Sequence, residues 1–487
     1  MLNNVVRTRF APSPTGFMHI GNLRTALYEY LIAKSAGGKF ILRIEDTDQD
    51  RLVDGALDAI YDTLNAVGLR HDEGPDIGGP YAPYVQSERK DDYLAGAQRL
   101  IQEGKAYHCF CTTERLVELK EAGGDHAGYD RHCRNLSAEE VKDKLAAGVP
   151  SVIRQKMPLT GTTTFSDTVY GDITVDNTEL EDQILIKSDG FPTYNFANVI
   201  DDHKMAITHV VRGSEYLSST PKYNLLYEAF GYEIPRYIHL PLILGEDGHK
   251  LSKRHGATGF SDLIAEGYLP EAIINYIALL GWSPTDTREL FSLAELIERF
   301  DVDGISKSPA IFDFNKLKWF NAEYLRKMTE DKFLSLCLPA FKQALPDREF
   351  DWSLLASILQ NRLTTLNEIP EMIDFLKQLD ENYSIEIYKH KKMKTTLESS
   401  LDMLTQILPL LETVEEWTRT VIHETLIGAA VAWEVKNGYL MWPVRIAVSG
   451  KSVTPGGAVE ILTLLGKQES LRRIEIGRNK LMAARND

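Results

Sequence analysis

Apolar positions in the first third of the chain come in the short, dense blocks of an α/β protein. Val5 to Phe10 is rich in strand formers and is halted by Pro12-Ser-Pro-Thr-Gly16. Leu23, Ala26, Leu27 and Tyr30 then recur at helical spacing, which predicts a helix over Asn22 to Ala33, closed by Gly37-Gly38. Phe40 to Ile44 reads as a second strand, and Asp46-Thr-Asp48 as the cap of a helix from Val53 to Val67. Strand, helix, strand, helix in that order predicts a parallel sheet with right-handed crossovers. Asp72 to Tyr84, broken by prolines and glycines, reads as loop. Short strands and helices mix over 87–190, and strands return at Ile184 to Tyr194 and at Ile207 to Val211. The sheet is thus expected to be interrupted by an insertion and then resumed. Beyond Phe320, alternation of period two is scarce. Leu401, Leu404, Ile407 and Leu408 keep helical spacing, as do many positions up to Trp433, which predicts two small helical bundles. There is no internal repeat and no low-complexity tract.

Length and composition narrow the class. At roughly 150 residues per domain, 487 residues make about three domains. Apolar residues at 43% and charged residues at 25% argue against a disordered chain. No apolar run reaches the length of a membrane span, and the N-terminus lacks the apolar stretch of a secretory signal. Four cysteines are too few for a disulfide scaffold of this size, so the chain is expected to be cytoplasmic. A net charge of −16 argues against a protein that coats nucleic acid without selectivity. From Met441 onward, however, eight basic side chains face four acids, so a basic tail ends an acidic protein.

Two strings carry the chemistry. In Arg9-Phe-Ala-Pro-Ser-Pro-Thr-Gly-Phe-Met-His19-Ile-Gly-Asn22 a strand runs through a constrained turn into a helix start, where backbone N–H groups and the helix dipole favour a phosphate. Gly16 and Gly21 permit close backbone approach, and His19 can donate to a phosphate oxygen. Far downstream, Lys250-Leu-Ser-Lys-Arg254 follows Gly245-Glu-Asp-Gly248, and its two lysines can bracket a polyphosphate. A third cluster, Cys109-Phe-Cys111 with Cys133, has the look of a structural zinc site that needs a fourth ligand. His108, His126 and His132 are the chemically usual donors nearby. Cys337, in Phe-Leu-Ser-Leu-Cys-Leu, belongs in a helix core.

His-Ile-Gly-Asn and Lys-Leu-Ser-Lys resemble the HIGH and KMSKS signatures of class I aminoacyl-tRNA synthetases. Asn22 departs from the signature where its second histidine would stand. Arg9-Phe-Ala-Pro-Ser-Pro-Thr-Gly, Arg43-Ile-Glu-Asp-Thr-Asp48, Gln86-Ser-Glu-Arg89, Lys187-Ser-Asp-Gly-Phe-Pro-Thr-Tyr194 and Ala197-Asn-Val-Ile-Asp-Asp-His203 closely resemble glutamyl-tRNA synthetase of the bacterial type. The likeness runs over nearly the whole chain. It implies an α/β, Rossmann-type parallel-sheet catalytic domain with an inserted acceptor-binding domain, followed by an all-α anticodon-binding region. The expected boundaries are a catalytic first half over 1–86, the insertion over 87–190 and a catalytic second half over 191–247. A stem-contact domain over 248–325 and helical bundles over 326–400 and 401–487 follow.

The resemblance also implies roles. Glutamate would be held by Arg9, Ala11, Ser13, Glu45, Tyr194, Asn198 and Arg212, with Glu215 close by. Two arginines suit a ligand with two carboxylates, and Glu45 at a strand's C-terminal end suits its ammonium. ATP would be met by His19, Gly21, Asn22, Lys250, Ser252, Lys253 and Arg254, with His19, Asn22, Lys250 and Lys253 stabilising the reacting α-phosphate. Magnesium would accompany ATP. In zinc-bearing relatives a Tyr-x-x-x-Cys spacing makes Tyr129 the fourth ligand beside Cys109, Cys111 and Cys133, ahead of His132. Arg362, Arg445, Thr454 and Pro455 would meet the anticodon. The implied partners are ATP, L-glutamate and tRNA for glutamate, with tRNA for glutamine left open; a monomer with no membrane partner is expected. A truncated relative that glutamylates a modified tRNA base lacks the helical bundles, yet 167 residues follow Phe320 here. Glutaminyl-tRNA synthetase would end in β-barrels. A non-catalytic tRNA-binding paralogue is the alternative of a different class; it would be expected to lose His19 or the lysine loop, and both are present.

Overall fold

A computed structural model of the chain describes residues 5–123 and 128–486. They form two compact units. One takes in the residues up to Ala265 together with Pro270–Phe314; the other takes in Glu266–Leu269 and everything from Asn315.

The first unit opens with β1 (Arg7–Phe10), α1 (Ile20–Ser35) and β2 (Lys39–Leu42), and the two strands pair in parallel with Arg9 opposite Ile41. Helix α1 buries Leu23, Leu27, Leu31 and Ile32, and also two charged side chains, Arg24 and Glu29. At its end Gly37 adopts a left-handed φ of +64°, and a Cβ on Gly38 would stand 2.1 Å from the carbonyl oxygen of Val6, so only glycine fits the return into β2. The next helix, α2 (Ala56–Ala66), starts later than the hydrophobic pattern predicts. Its N-cap is Gly55, and Asp46 does not cap it: the Asp46 carboxylate is turned to the N–H of Ser87 at 2.8 Å.

Helix α3 (Lys90–Gln102) leads into β3 (Ala106–Cys109), α4 (Thr113–Gly123), α5 (Ala138–Ala146) and β4 (Val152–Gln155). A hairpin of β5 (Thr162–Asp167) and β6 (Gly171–Asp176) follows, and then β7 (Ile184–Ile186). Strands β3, β4 and β7 make an antiparallel sheet. The strand expected to reach Tyr194 stops at Ile186. Gly190, at φ +80°, turns the chain there, and Tyr194 instead opens α6 (Tyr194–Lys204).

The parallel sheet then resumes with β8 (His209–Gly213), α7 (Thr220–Phe230) and β9 (Arg236–Leu240). β8 pairs in parallel with β9, placing Arg212 opposite His239. Thr208 joins this pair to β1: its N–H donates to the Arg7 carbonyl at 3.0 Å, and its hydroxyl accepts the Arg7 N–H at 2.8 Å. On the far side β5 runs parallel to β9, so the hairpin extends the same sheet. β10 (Ile243–Leu244), α8 (Phe260–Ala265), α9 (Pro270–Ala278), α10 (Leu293–Arg299) and β11 (Ala310–Ile311) complete the unit, with β11 parallel to β10. Tyr93, Leu100, Ile153, Leu185, Phe196, Ile200, Leu226 and Phe230 share one core, and Ile41, Phe165, Val210 and Tyr237 fill another against the sheet. Each such large side chain contributes about 1.5–3 kcal/mol by leaving water.

The second unit is helical: α11 (Phe314–Lys327), α12 (Glu330–Ala344), α13 (Trp352–Leu359), α14 (Ile369–Lys377), α15 (Leu397–Glu412), α16 (Arg419–Ala432), α17 (Asn437–Ser449), α18 (Ala458–Leu465) and α19 (Lys467–Asn486). Helix α12 packs on α13 and α14, burying Cys337 with Phe333 and Phe341. Helices α15, α17 and α19 pack on one another, and Leu401, Leu404, Ile407 and Leu408 face that core as their spacing predicts. A Cβ on Gly477 would meet Tyr388 Oη at 2.5 Å and Ala447 Cβ at 2.9 Å, so α19 approaches its neighbours through a bare backbone. The basic tail is not all surface: Arg473 is 1% exposed and donates to the carbonyls of Phe375 and Val448. Among the described residues no helix is long and apolar enough to cross a membrane.

Candidate active site

The two signature strings meet. The Ile20 N–H donates to the Thr258 carbonyl, and the Phe260 N–H to the Met18 carbonyl, both at 3.0 Å, so the start of α1 lies against the segment that follows the lysine loop. His19 is the N-cap of α1, and its Nδ1 accepts the Gly21 N–H at 3.1 Å. The proton of the neutral ring therefore sits on Nε2, the donor that a phosphate oxygen would need. Lys250 lies 3.5 Å from Glu215, and both are exposed. Lys253 begins a single 3-10 turn, Lys253–His255; its side chain lies outside what the structure describes. Arg254 is turned to Asp247 at 3.4 Å.

These segments border a cavity of about 780 Å³ at the C-terminal ends of β1, β2 and β8, the place where open parallel sheets receive ligands. Arg9, Ala11, Ser13, His19, Gly21, Asn22, Glu45, Tyr194, Arg212, Glu215, Lys250 and Ser252 line it. Arg254 is not among the lining residues, and neither is Asn198, which stands behind the wall. The Asn198 Oδ1 accepts from Arg212 Nη2 at 2.8 Å, and its Nδ2 donates to the Tyr194 carbonyl at 2.7 Å.

Beneath the cavity lies a buried charge network. Arg9 donates through Nε to Asp202 at 3.0 Å and through Nη1 to Glu29 at 3.1 Å. Arg43 bonds Asp202 at 2.7 Å and Glu45 at 2.9 Å, and Arg89 bonds Asp201 at 2.7 Å. Burial pushes the Glu29 carboxyl well above its ordinary range, more than Arg9 pulls it down. Burial raises the Glu45 and Asp201 carboxyls as well. Asp202 goes the other way: burial is outweighed by Arg9, Arg43 and Arg212, and its carboxyl falls to about 2.

Arg212 differs from the other three arginines. It is 5% exposed, and among the described residues no carboxylate lies within ion-pair distance. Its guanidinium instead lies 4.5 Å from the Tyr223 ring, 5.5 Å from Tyr216 and 5.8 Å from Tyr194, and its Nε has no hydrogen-bond partner among the described residues. Burial opposes its charge, but the surrounding tyrosines and Asp202 hold it protonated. A buried cation that faces a cavity and has no carboxylate within bonding distance is suited to an anionic ligand.

The cysteines converge as expected. The Sγ atoms of Cys109, Cys111 and Cys133 all lie within 4.8 Å of one another, with Cys111 and Cys133 3.6 Å apart. Tyr129 Oη stands 3.1 Å from Cys109 Sγ and 3.7 Å from Cys111 Sγ. Zn–S bonds of about 2.3 Å in a tetrahedron set sulfurs about 3.8 Å apart, so this donor set fits one ion. The cluster has nearby cations to balance thiolate charge: Arg154 lies 3.9 Å over the Tyr129 ring, and Arg115 Nη1 is 3.6 Å from Cys111. His132 and His108 are not part of it, and His108 meets Ser151 instead. His126 lies outside the described residues.

In the second unit Arg445 donates to Thr454 Oγ1 at 2.8 Å and to the Ser452 carbonyl at 2.7 Å, and its guanidinium lies 4.5 Å from the Trp442 ring. Burial, and then the charge of Arg362, push the Arg445 guanidinium below its ordinary range. Thr454 and Pro455 are buried, while Arg362 is exposed.

Sequence reasoning missed Arg24, Glu29, Tyr216 and Tyr223. Arg24 and Glu29 had left a signal: they are charged positions on a helix whose other faces are apolar, and both line the cavity. The two tyrosines left none: Tyr223 sits among the buried apolar positions of α7, and Tyr216 ends a short turn, Ser214–Tyr216, with no pattern of its own.

A model of the class I tRNA synthetase (E and Q) catalytic domain matches residues 5–319, and a model of an anticodon binding domain matches 294–478. The glutamate–tRNA ligase of Clostridium botulinum (strain Loch Maree / Type A3) is 60% identical over 485 residues, 99% of this chain and 100% of the relative. That of Clostridium tetani (strain Massachusetts / E88) is 57% identical, over 99% of each chain. Among solved structures, a glutamate tRNA ligase from Elizabethkingia meningosepticum CCUG26117 in complex with its amino acid superposes with a TM-score of 0.88 at 38% identity, covering 98% of this chain and 99% of that one. With the paired signature segments and the anion-ready cavity at the ends of a parallel sheet, these likenesses place the chain in the glutamate–tRNA ligase family of class I aminoacyl-tRNA synthetases.

Proposed function

We propose that the chain joins glutamate to tRNA in two steps. First, the α-carboxylate of glutamate attacks the α-phosphorus of ATP; a new O–P bond forms, the bond to the β-phosphate breaks and pyrophosphate leaves. Then a ribose hydroxyl at the 3′ end of tRNA attacks the activated carbonyl, the C–O bond to the phosphate breaks, AMP leaves and the hydroxyl proton passes to solvent. Catalysis here is positioning and charge stabilisation, with no covalent nucleophile. His19, through Nε2, and Lys250 and Lys253 on their loop meet the phosphates; Arg212 takes a glutamate carboxylate and Glu45 the ammonium. Magnesium, carried on the phosphates of ATP, supplies charge neutralisation.

Zinc held by Cys109, Cys111, Cys133 and Tyr129 supplies a structural cross-link in the inserted region, which takes the acceptor end of tRNA. Arg362 and Arg445, with Thr454 and Pro455, meet unstacked anticodon bases, where stacking and base-edge bonds carry specificity. The reading rests above all on the unpaired, buried Arg212, which suits a dicarboxylate and leaves glutamine, with its neutral amide, poorly matched.

The test is aminoacylation with labelled glutamate, ATP and purified tRNAs for glutamate and for glutamine, with pyrophosphate exchange followed in parallel. Charging of the glutamate tRNA is expected, and Arg212→Ala should cut glutamate activation by at least about tenfold, as loss of a charge-assisted clamp would. No charging of either tRNA by the folded protein would defeat the reading. Unchanged activation in Arg212→Ala would remove that residue from it.

A further inference from the structure

Asp167, at the end of β5, is fully buried and saturated with donors. Its Oδ1 accepts the N–H groups of Val169 and Tyr170, at 2.9 and 2.8 Å. Its Oδ2 accepts the backbone N–H of His239 at 3.0 Å and meets His239 Nδ1 at 2.7 Å. On the other side of the imidazole, Nε2 lies 3.2 Å from Thr220 Oγ1, and that hydroxyl is 2.9 Å from the Tyr216 carbonyl. Asp167, His239 and Thr220 are all under 5% exposed, so no water competes for these bonds and each is worth more than it would be at a surface.

The chain of contacts runs from the hairpin to the anion receptor. His239 sits opposite Arg212 across the β8–β9 pair. Thr220 is the first residue of α7, whose next turn carries Tyr223 against the Arg212 guanidinium. Tyr216, whose carbonyl the Thr220 hydroxyl reaches, supplies a second ring beside the same guanidinium. Among the described residues the Arg212 guanidinium has one hydrogen bond, to Asn198, and the faces of these rings pack around it.

We propose that Asp167, His239 and Thr220 form a positioning relay, by which the β5–β6 hairpin holds the tyrosine walls that aim Arg212 at the substrate carboxylate. None of the three touches the substrate; they act through Tyr216 and Tyr223. The inference rests on the reading of Arg212 as the carboxylate receptor. It adds that the specificity of that receptor is set in part by a hairpin on the far edge of the sheet.

The experiment measures steady-state charging of glutamate tRNA by the full chain, varying glutamate and then ATP, for Thr220→Val, Thr220→Ser, Asp167→Asn and Arg212→Lys. Thr220→Val keeps the shape and removes the hydroxyl. It should raise KM for glutamate about five- to tenfold, the scale of one buried hydrogen bond, and leave KM for ATP unchanged. Thr220→Ser should restore the wild-type value to within about twofold, because the hydroxyl returns. Asp167→Asn should show the same split between the two substrates, and stands in for Thr220→Val should that chain fail to fold. An unchanged glutamate KM in Thr220→Val, or an equal rise for glutamate and ATP, or no rescue by serine, would overturn the relay. Arg212→Lys separates the two ideas: a raised glutamate KM there with none in Thr220→Val defeats the relay alone, and no rise in either defeats the receptor and the relay together.

Discussion

Asp202 shows how one carboxylate can organise a site without touching a ligand. It sits 1% exposed between Arg9 and Arg43, and with Arg212 near, these cations hold its carboxyl at about 2 in spite of burial. A carboxyl that falls below its unfolded value of about 3.9 stabilises the fold above that value and loses the contribution as pH drops toward 2. Asp202→Asn should therefore destabilise the first unit by about 3–5 kcal/mol near neutral pH, the cost of leaving buried cations uncompensated. The gap to the wild type should close as pH falls from about 4 toward 2. Urea unfolding of both chains across that range measures it; a gap that stays constant with pH would mean that Asp202 acts by packing and not by charge. The same network marks a limit of sequence reading. Arg9 reads as a ligand clamp, yet two of its nitrogens are taken by Glu29 and by Asp202, the latter 193 positions away, and no local pattern reveals such a partner. Arg212, by contrast, reads as a clamp and is left without a carboxylate.

At the scale of elements, what was legible followed period and punctuation. The helix after the Pro-Ser-Pro-Thr-Gly turn, its stop at Gly37-Gly38 and the apolar stripe of α15 all lie where spacing put them. The strand carried on to Tyr194 was wrong because Ile184 to Ile186 is as apolar as any strand, while the turn at Gly190 and the helix start behind it look alike in composition. The late start of α2 has a related cause: Asp46 is a good capping residue, but Ser87 claims it. Gly477 is an element-scale feature with a measurable price. Alanine there would gain about 1 kcal/mol of helix propensity. Its methyl would stand 2.5 Å from Tyr388 Oη, and overpacking of that kind costs about 1–3 kcal/mol. The balance is expected to be destabilising, by up to about 2 kcal/mol. A rise in the unfolding temperature of Gly477→Ala would show that α19 can shift outward without loss.

Across the whole molecule, two compact units with separate cores should not melt as one. Calorimetry is expected to resolve two transitions. Gly477→Ala should lower only the transition of the helical unit; chelation of metal, or Cys109→Ser, should lower only the other, because an ion bound by the folded form alone stabilises it by mass action. A single transition that all three changes shift alike would mean that the units unfold together. At this scale the net charge of −16 hides a local imbalance, since from Met441 onward eight basic side chains stand against four acids within an acidic whole. The lysine loop is bonded to its surroundings at either end. Leu251 is fastened to Ile243 and Thr258 to Ile20, so the six residues between them hang on a leash with both ends tied. Fully extended, six residues reach about 20 Å, and tied at both ends they swing far less. That limit keeps Lys253 close to the start of α1. An added residue between Leu251 and Thr258 would lengthen the tether and leave both anchors intact, so Lys253 alone would fall out of step with His19 while Lys250, outside the tether, keeps its place.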